Sequence, residues 1–265
     1  MSVTARTLLI DMDGVLYQGE RAIPGTQETL DWLNSKQIPH LFLTNTTSRP
    51  RSALVEKLAR MGVHVEIEQI LTPPVAATRW LSEHVNGPVA LFVARATLAE
   101  FETLEIASLD TTNPVSSVVI GDYGEHWTYH ALNQAFRWLM SDNHPALIAL
   151  GMTRYWQAED GLRLDTAPFV SALEHATGQQ ALVLGKPAAP FFESALGEIG
   201  ATAAETLMIG DDIHSDIGGA QVLSIRGILV KTGKFRPEDL TNKTQTAAVL
   251  DSFAELPDIW QDNPE

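Results

Sequence analysis

The sequence predicts an α/β protein built on an open parallel sheet, with a second, smaller α/β unit inserted into it. Three observations carry that expectation. Short apolar runs alternate with helical patterns from the first residues to the last, and such alternation favours parallel strands covered by helices on both faces. At 265 residues the chain suits one large or two modest domains. A hydrophobic fraction of 45% places it well clear of the disordered regime.

The elements follow in order. Residues 7–10 form a brief apolar run with the pattern of a buried strand, and residues 24–37 read as a helix with Leu30 and Leu33 on one face. Residues 40–43 are a second strand. Residues 50–61 are a second helix with Leu54, Leu58 and Met61 at helical spacing, and Gly62 is placed to cap it. The middle of the chain has its own alternation. Residues 89–93, 118–120 and 146–150 read as strands, 128–140 and 168–176 as helices, and 155–164 as a hairpin turning at Glu159-Asp160-Gly161. Near the other end, strands at 181–184, 207–209 and 228–230 are separated by helices at 190–199 and 215–223. This divides the chain into a core of residues 1–79 and 179–265 and an inserted unit of residues 80–178. The tail from Ser252 onward ends in Asp-Asn-Pro-Glu and is expected to fray.

Polar residues fall where the core strands end. Leu8-Leu9-Ile10 runs into Asp11-Met12-Asp13-Gly14, Leu41-Phe42-Leu43 into Thr44-Asn45, Leu182-Val183-Leu184 into Gly185-Lys186-Pro187, and Leu207-Met208-Ile209 into Gly210-Asp211-Asp212 with Asp216 beyond. In open parallel sheets, ligands bind outside the carboxyl ends of the strands, so these groups converge. Asp11, Asp13 and Asp211 together repel one another unless a cation lies among them, and hard oxygen ligands with room for water and phosphate suit Mg²⁺. A carboxylate attacking phosphorus forms an aspartyl-phosphate. A second carboxylate protonates the leaving oxygen and later activates water. Thr44 and Lys186 supply a hydroxyl and a fixed positive charge to the phosphoryl oxygens. Any one of these pieces alone is more often a turn or a helix cap. Their joint order at strand ends carries the reading.

These motifs, Asp11-Met12-Asp13-Gly14-Val15-Leu16-Tyr17, Thr44-Asn45, Gly185-Lys186-Pro187 and Gly210-Asp211-Asp212 with Asp216, resemble the four motifs of the haloacid dehalogenase (HAD) superfamily. The insertion between the second and third motifs looks like the cap of subclass IIA, the NagD-like phosphatases. Residues 41–51, 129–140, 153–164, 169–178 and 218–236 resemble the phospholysine phosphohistidine inorganic pyrophosphate phosphatases and related HAD hydrolases. The resemblance implies a Rossmann-like parallel-sheet core with an α/β cap. It implies Asp11 as nucleophile and Mg²⁺ ligand, and Asp13 as acid/base binding Mg²⁺ through its carbonyl. Thr44 and Asn45 would contact phosphate, Lys186 would pair with both nucleophile and phosphate, and Asp211 would complete the metal site. Asp212 and Asp216 would support it through water or by holding ligands in place. In the cap, Arg154, Tyr155, Trp156, Asp160 and Leu162 lie where the leaving group is expected, the alternative being an exposed hairpin. Caps of this subclass also suggest a homodimer.

Function is therefore expected to be Mg²⁺-dependent hydrolysis of a small phosphorylated substrate: a phosphomonoester, pyrophosphate or a phosphoamino P–N bond. Two alternatives are a phosphate-storing receiver-type signalling protein and a non-phosphatase HAD enzyme, a dehalogenase. A receiver carries its acceptor Asp in mid-chain without a large insertion, and a dehalogenase needs neither Asp13 nor the Asp211/Asp212/Asp216 cluster.

Weaker signals receive plainer readings. Arg49 and Arg51 read as helix-start surface residues, while Lys231, Lys234 and Arg236 stand either near the site or in a solvated loop. His126 and His130 have a metal-ligand spacing, but Thr128 reads as an N-cap between them, and Asp122 reads as a turn residue. Lys+Arg 18 against Asp+Glu 33 gives a net charge of −15, which argues against nucleic-acid partners and anionic membranes. Phosphate would be attracted only locally, where Mg²⁺ and Lys186 reverse the sign. The chain has no cysteine, excluding disulfides and thiolate metal sites and suiting a reducing cytoplasm. The N-terminal residues match neither a secretory signal nor a membrane span, so a cytoplasmic location is expected.

Overall fold

Apolar side chains on both faces of a strand need cover on both sides, and that requirement shapes each of the two compact units in this computed structural model. The structure describes residues 3, 5–158 and 160–261. The chain opens with β1 (Thr7–Asp11), a hairpin of β2 (Tyr17–Gln18) and β3 (Arg21–Ala22), α1 (Thr26–Ser35), β4 (His40–Leu43), α2 (Arg51–Arg60) and β5 (Ile70–Leu71). It continues through α3 (Pro73–His84), β6 (Val89–Phe92), β7 (Ser117–Ile120), α4 (Tyr129–Leu139) and β8 (Ala146–Ala149). A hairpin of β9 (Tyr155–Ala158) and β10 (Gly161–Leu164) leads into α5 (Thr166–Thr177) and β11 (Leu182–Val183). The last part comprises α6 (Ala189–Ile199), β12 (Thr206–Gly210), α7 (Gly219–Gln221), β13 (Arg226–Val230), β14 (Ala248–Leu250) and α8 (Leu256–Ile259).

The first unit holds the chain through Thr44, Arg51–Leu71 and the chain from Lys186 onward. Its six strands lie in the order β14-β13-β12-β1-β4-β5, each neighbouring pair parallel. β1 and β12 are buried at every residue, as central strands covered by helices on both faces must be. Leu8, Ile10, Phe42, Leu207, Ile209 and Ile228 form the heart of its core. Gly62, at φ 77, closes α2 by donating its N–H to the Ala59 carbonyl at 3.0 Å, the left-handed C-cap that glycine favours.

The second unit holds residues 45–50 and 72–185. Its parallel sheet runs β11-β8-β7-β6, with α4 and α5 packed together on it. Phe92, Ile120, Trp138, Val170 and Leu173 fill its core. Trp127 stacks between Phe92 at 5.2 Å and Phe169 at 4.6 Å. Together the two units are the α/β architecture the sequence pattern predicts.

Several local expectations are corrected. A boundary at residue 80 would cut α3, which runs unbroken from Pro73; Thr72 caps it by accepting from Val75 N–H at 3.5 Å. The other end of the unit extends to Gly185 because β11 pairs with β8. The helix expected at 215–223 is a π-helix over Ile213–Gly218 followed by the short α7. The expected hairpin is present, with Glu159 of its turn outside the described residues.

The tail is not frayed over its described part. Phe253 and Leu256 are fully buried, Trp260 meets Trp32 edge-on at 6.1 Å, and Val3 bridges Trp260; residues 262–265 lie outside the described set. Because Phe253 belongs to the core, Phe253→Ala should cost about 3–5 kcal/mol of stability, cavity included. Chemical denaturation measures this, and a loss under about 1 kcal/mol would show that the tail is not part of the core.

Candidate active site

β1 ends on Asp11, which is buried, and its neighbours end beside it. Asp11 pairs with Leu43 of β4, and Ile10 with Ile209 of β12. Thr44 and Gly210-Asp211 therefore emerge along the same carboxyl edge, where ligands of parallel sheets bind. Lys186, buried just ahead of α6, points its ammonium between two carboxylates. Its Nζ lies 2.5 Å from Asp11 Oδ1 and 2.7 Å from Asp216 Oδ1.

Asp216 owes its place to the π-helix. Asp212 begins that turn, its Oδ1 accepting from the N–H of His214 at 3.0 Å and of Ser215 at 2.9 Å. In return the Asp212 N–H donates to Asp216 Oδ2 at 3.2 Å. Asp211 Oδ2 accepts from the Lys234 N–H at 2.6 Å. Space around this carboxylate exists only because glycine lines it. A Cβ at Gly14 (φ +91) or at Gly233 (φ +63) would collide with it. Thr232 Oγ1 donates to the Gly14 carbonyl and ties the two glycine loops together.

Burial dominates the electrostatics. It pushes the Asp11 carboxyl up, with Lys186 opposing and Asp211 adding to the rise. Burial likewise raises Asp211 and Asp216 from 3.8 to about 6, against the pull of the Lys234 N–H on the first and of Lys186 on the second. Burial opposes the charge on Lys186, but Asp11 and Asp216 outweigh it and hold the ammonium above its ordinary value. Asp212 is pushed up by partial burial, yet the Ser215 N–H and Lys234 outweigh that and hold it below the usual carboxylate range.

A divalent cation fits this group. One oxygen from each of Asp11, Asp211 and Asp216 lies within 4.8 Å of the others. Asp211 Oδ1 is buried with no hydrogen-bond partner among the described residues. A buried carboxylate oxygen without a partner is costly, and a hard cation satisfies it. Asp216, expected only to support the ligands, lies inside the cluster, whereas the Asp13 carboxylate does not belong to it. Asp13 is exposed beside the cluster, its backbone bridged to Tyr17.

The other expected residues have varied settings. Asn45 and Arg49 are exposed and belong to the second unit. Arg51 donates to the Ile67 carbonyl at 3.4 Å. Of the three basic residues after β13, Lys234 turns to the site, its Nζ 3.4 Å from Asp212. Lys231 pairs with Asp251 at 2.7 Å, and the Arg236 N–H bonds Asp239 at 2.8 Å. Gly233 and the Lys234 N–H are the part of the site least visible in the sequence; the Thr232-Gly233 pair, one residue beyond the end of β13, is its signal.

In the second unit, Arg154 and Trp156 are exposed, and Asp160 pairs with Arg163 at 2.7 Å. Trp156, Asp160 and Asp122 line a pocket of about 360 Å³ there. Thr128 caps α4, accepting from Ala131 N–H at 3.1 Å, and His126 precedes that cap, so His126 and His130 do not share a helical face.

Known proteins resemble this chain in sequence and fold. Residues 8–107 match the family model for the haloacid dehalogenase-like hydrolases, and residues 183–256 match a second HAD-hydrolase-like model. Human phospholysine phosphohistidine inorganic pyrophosphate phosphatase is 39% identical over 259 residues, covering 96% of this chain and 93% of that protein. The p-nitrophenyl phosphatase from Archaeoglobus fulgidus superposes with a TM-score of 0.85 at 25% identity, covering 97% of this chain and 99% of that one. NagD from Escherichia coli K-12 superposes with a TM-score of 0.83 over 96% of this chain and 98% of its own, and at 23% identity that likeness concerns the fold alone.

The chain belongs to the haloacid dehalogenase-like hydrolases, as a phosphatase of that family, and it shares its fold with NagD. The receiver alternative falls with that assignment. Among the described residues, no helix is long and apolar enough to cross a membrane.

The raised carboxyls make metal binding and stability depend on pH in a definite direction. For a carboxyl raised to about 6, the stabilising contribution is present below its ordinary 3.8 and is lost as pH climbs through 6. Metal-free protein should therefore lose stability from these two groups across that window, and a divalent cation should restore it. The rise in Tm on adding Mg²⁺ should be larger at about pH 7.5 than at about pH 5. Thermal melts in EDTA and in Mg²⁺ measure it, and an equal rise at both values would contradict the assignment.

Proposed function

We propose that this protein is a Mg²⁺-dependent phosphohydrolase of small phosphorylated substrates that works through an aspartyl-phosphate on Asp11. The observation that carries the reading is the buried Asp11–Lys186–Asp216 array beside the unpartnered Asp211 Oδ1. Mg²⁺ held by Asp11, Asp211 and the Asp13 carbonyl would supply positive charge against the phosphoryl oxygens.

The protein groups account for the rest. Lys186 holds Asp11 Oδ1 at 2.5 Å, which fixes the carboxylate and leaves its other oxygen to attack phosphorus. As that bond forms, the bond from phosphorus to the leaving oxygen breaks, and Asp13 gives that oxygen its proton. Asp13, now a carboxylate, takes a proton from water, whose oxygen attacks the phosphorus and frees phosphate and Asp11. The Lys186 ammonium and the Thr44 hydroxyl, with Asn45 beside it in the chain, stabilise charge on the non-bridging oxygens during both transfers. A preorganised lysine needs no reorientation at the moment of reaction, which is where such electrostatic terms gain most.

The substrate class we infer is a phosphomonoester, inorganic pyrophosphate or a phosphoamino P–N compound. The names of the relatives support that range, and Arg154, Trp156 and Asp160 are the cap residues suited to distinguishing among its members. A dehalogenase would need no acid at Asp13 and no cation at Asp211.

Asp11→Asn should abolish hydrolysis of p-nitrophenyl phosphate while the circular dichroism spectrum stays that of the parent. EDTA should silence the parent enzyme, and Mg²⁺ should restore it. Turnover by the variant within about tenfold of the parent would refute covalent catalysis. A panel of phosphorylated metabolites then identifies the preferred substrate.

A further inference from the structure

The acid/base proposed above is held by its main chain. Asp13 is exposed, and its backbone bridges Tyr17. The Gly14 N–H donates to the Tyr17 carbonyl at 2.7 Å, and the Tyr17 N–H donates to the Met12 carbonyl at 3.4 Å. One residue thus clasps the loop on both sides of Asp13. Whatever fixes Tyr17 fixes where the Asp13 carboxylate can reach.

Tyr17 is fixed from outside the loop. Its ring is buried, and the Lys57 ammonium of α2 sits over it, 4.2 Å from the centroid. The same ammonium lies 3.5 Å from Glu20 Oε1, at the turn between β2 and β3. A surface-helix lysine normally extends its charge into water, yet the Lys57 side chain is only 13% exposed. A cation withdrawn from water over an aromatic face is held more firmly than an exposed one. Lys57 therefore joins α2 to the first strand and the turn of the hairpin that follows the Asp13 loop.

We propose that Lys57 is a positioning residue for Asp13, acting through the ring of Tyr17 and the carboxylate of Glu20; this rests on the acid/base reading of Asp13 above. A general acid must lie within hydrogen-bond reach of the departing oxygen, and a misplacement of the reacting groups by about 1 Å, even when a distant change causes it, costs on the order of a hundredfold. A clamp on the loop's clasp consequently acts on proton transfer, and its effect should grow with the leaving group's need for a proton.

The test compares kcat/KM on p-nitrophenyl phosphate, whose leaving group departs readily without a proton, with phenyl phosphate, whose leaving group needs one. Lys57→Met should lower the phenyl value about tenfold and the nitrophenyl value about twofold, part of the hundredfold or more that a positioned acid contributes. Lys57→Arg, which keeps the cation, should restore both to within about twofold of the parent. Glu20→Gln alters an exposed side chain away from the core and should show the same selectivity at smaller amplitude, even if Lys57→Met proves too unstable to assay. Equal losses on the two esters in these variants, or a fall in Tm with both kcat/KM values unchanged, would overturn the proposal. A parent enzyme that cleaves neither these esters nor pyrophosphate nor a phosphoamino compound would instead refute the phosphohydrolase reading, and this inference with it.

Discussion

A buried lysine between two buried carboxylates sets the terms for the rest of the core unit. Lys186 lies 2.5 Å from Asp11 and 2.7 Å from Asp216, and all three are withdrawn from water. Removing one partner of such a set leaves an uncompensated buried charge, which is strongly destabilising. The three residues come from three separate parts of the chain, the end of β1, just before α6 and within the π-helix, so the array forms only when the parallel sheet has brought those ends together. One ammonium does not balance Asp11, Asp211 and Asp216. Burial lifts the Asp211 and Asp216 carboxyls to about 6, with the neighbouring carboxylates adding to the rise, and the excess negative charge leaves the group suited to a cation.

Backbone economy around the array follows from the same need. Gly14 and Gly233 both adopt positive φ and both leave room that a Cβ would take from the Asp211 carboxylate. Asp212 is spent on capping the turn that presents Asp216, with two N–H groups on its own oxygen. Its neighbour Asp211 keeps one oxygen without a partner. Two adjacent aspartates thus have opposite fates: one satisfied by backbone and shifted down, one desolvated and shifted up. That contrast fits Asp212 to holding the turn and Asp211 to the ligand part proposed for it above.

Much of this was legible in the residues. Strand–helix alternation, the apolar runs ending in polar groups, and the capping signals of Thr128 and Gly62 are local physics, and the structure shows the elements they announce. What escaped has physical reasons. α3 begins at Thr72-Pro73-Pro74 and buries most of its first two turns, so it lacks the one-sided pattern that marks a helix lying on a sheet. β5 and β14 are two and three residues long, too short for any period to show. The tail looks polar in sequence, yet Phe253, Leu256 and Trp260 complete the packing around α1 and the residue that bridges Trp260, Val3.

By itself the sequence determined the α/β class, the inserted unit, the strand-end carboxylates with Lys186, and the family they resemble. Those depend on residue type, spacing and hydrophobic period, all of which are properties of neighbours along the chain. Only the tertiary structure decided that Asp216 stands in the acidic cluster, that Lys234 and not Lys231 turns toward it, and that Lys57 lies over Tyr17. Each of these is a meeting of residues distant in sequence, made by sheet register and helix packing, and burial then determines what the meeting does to their charge.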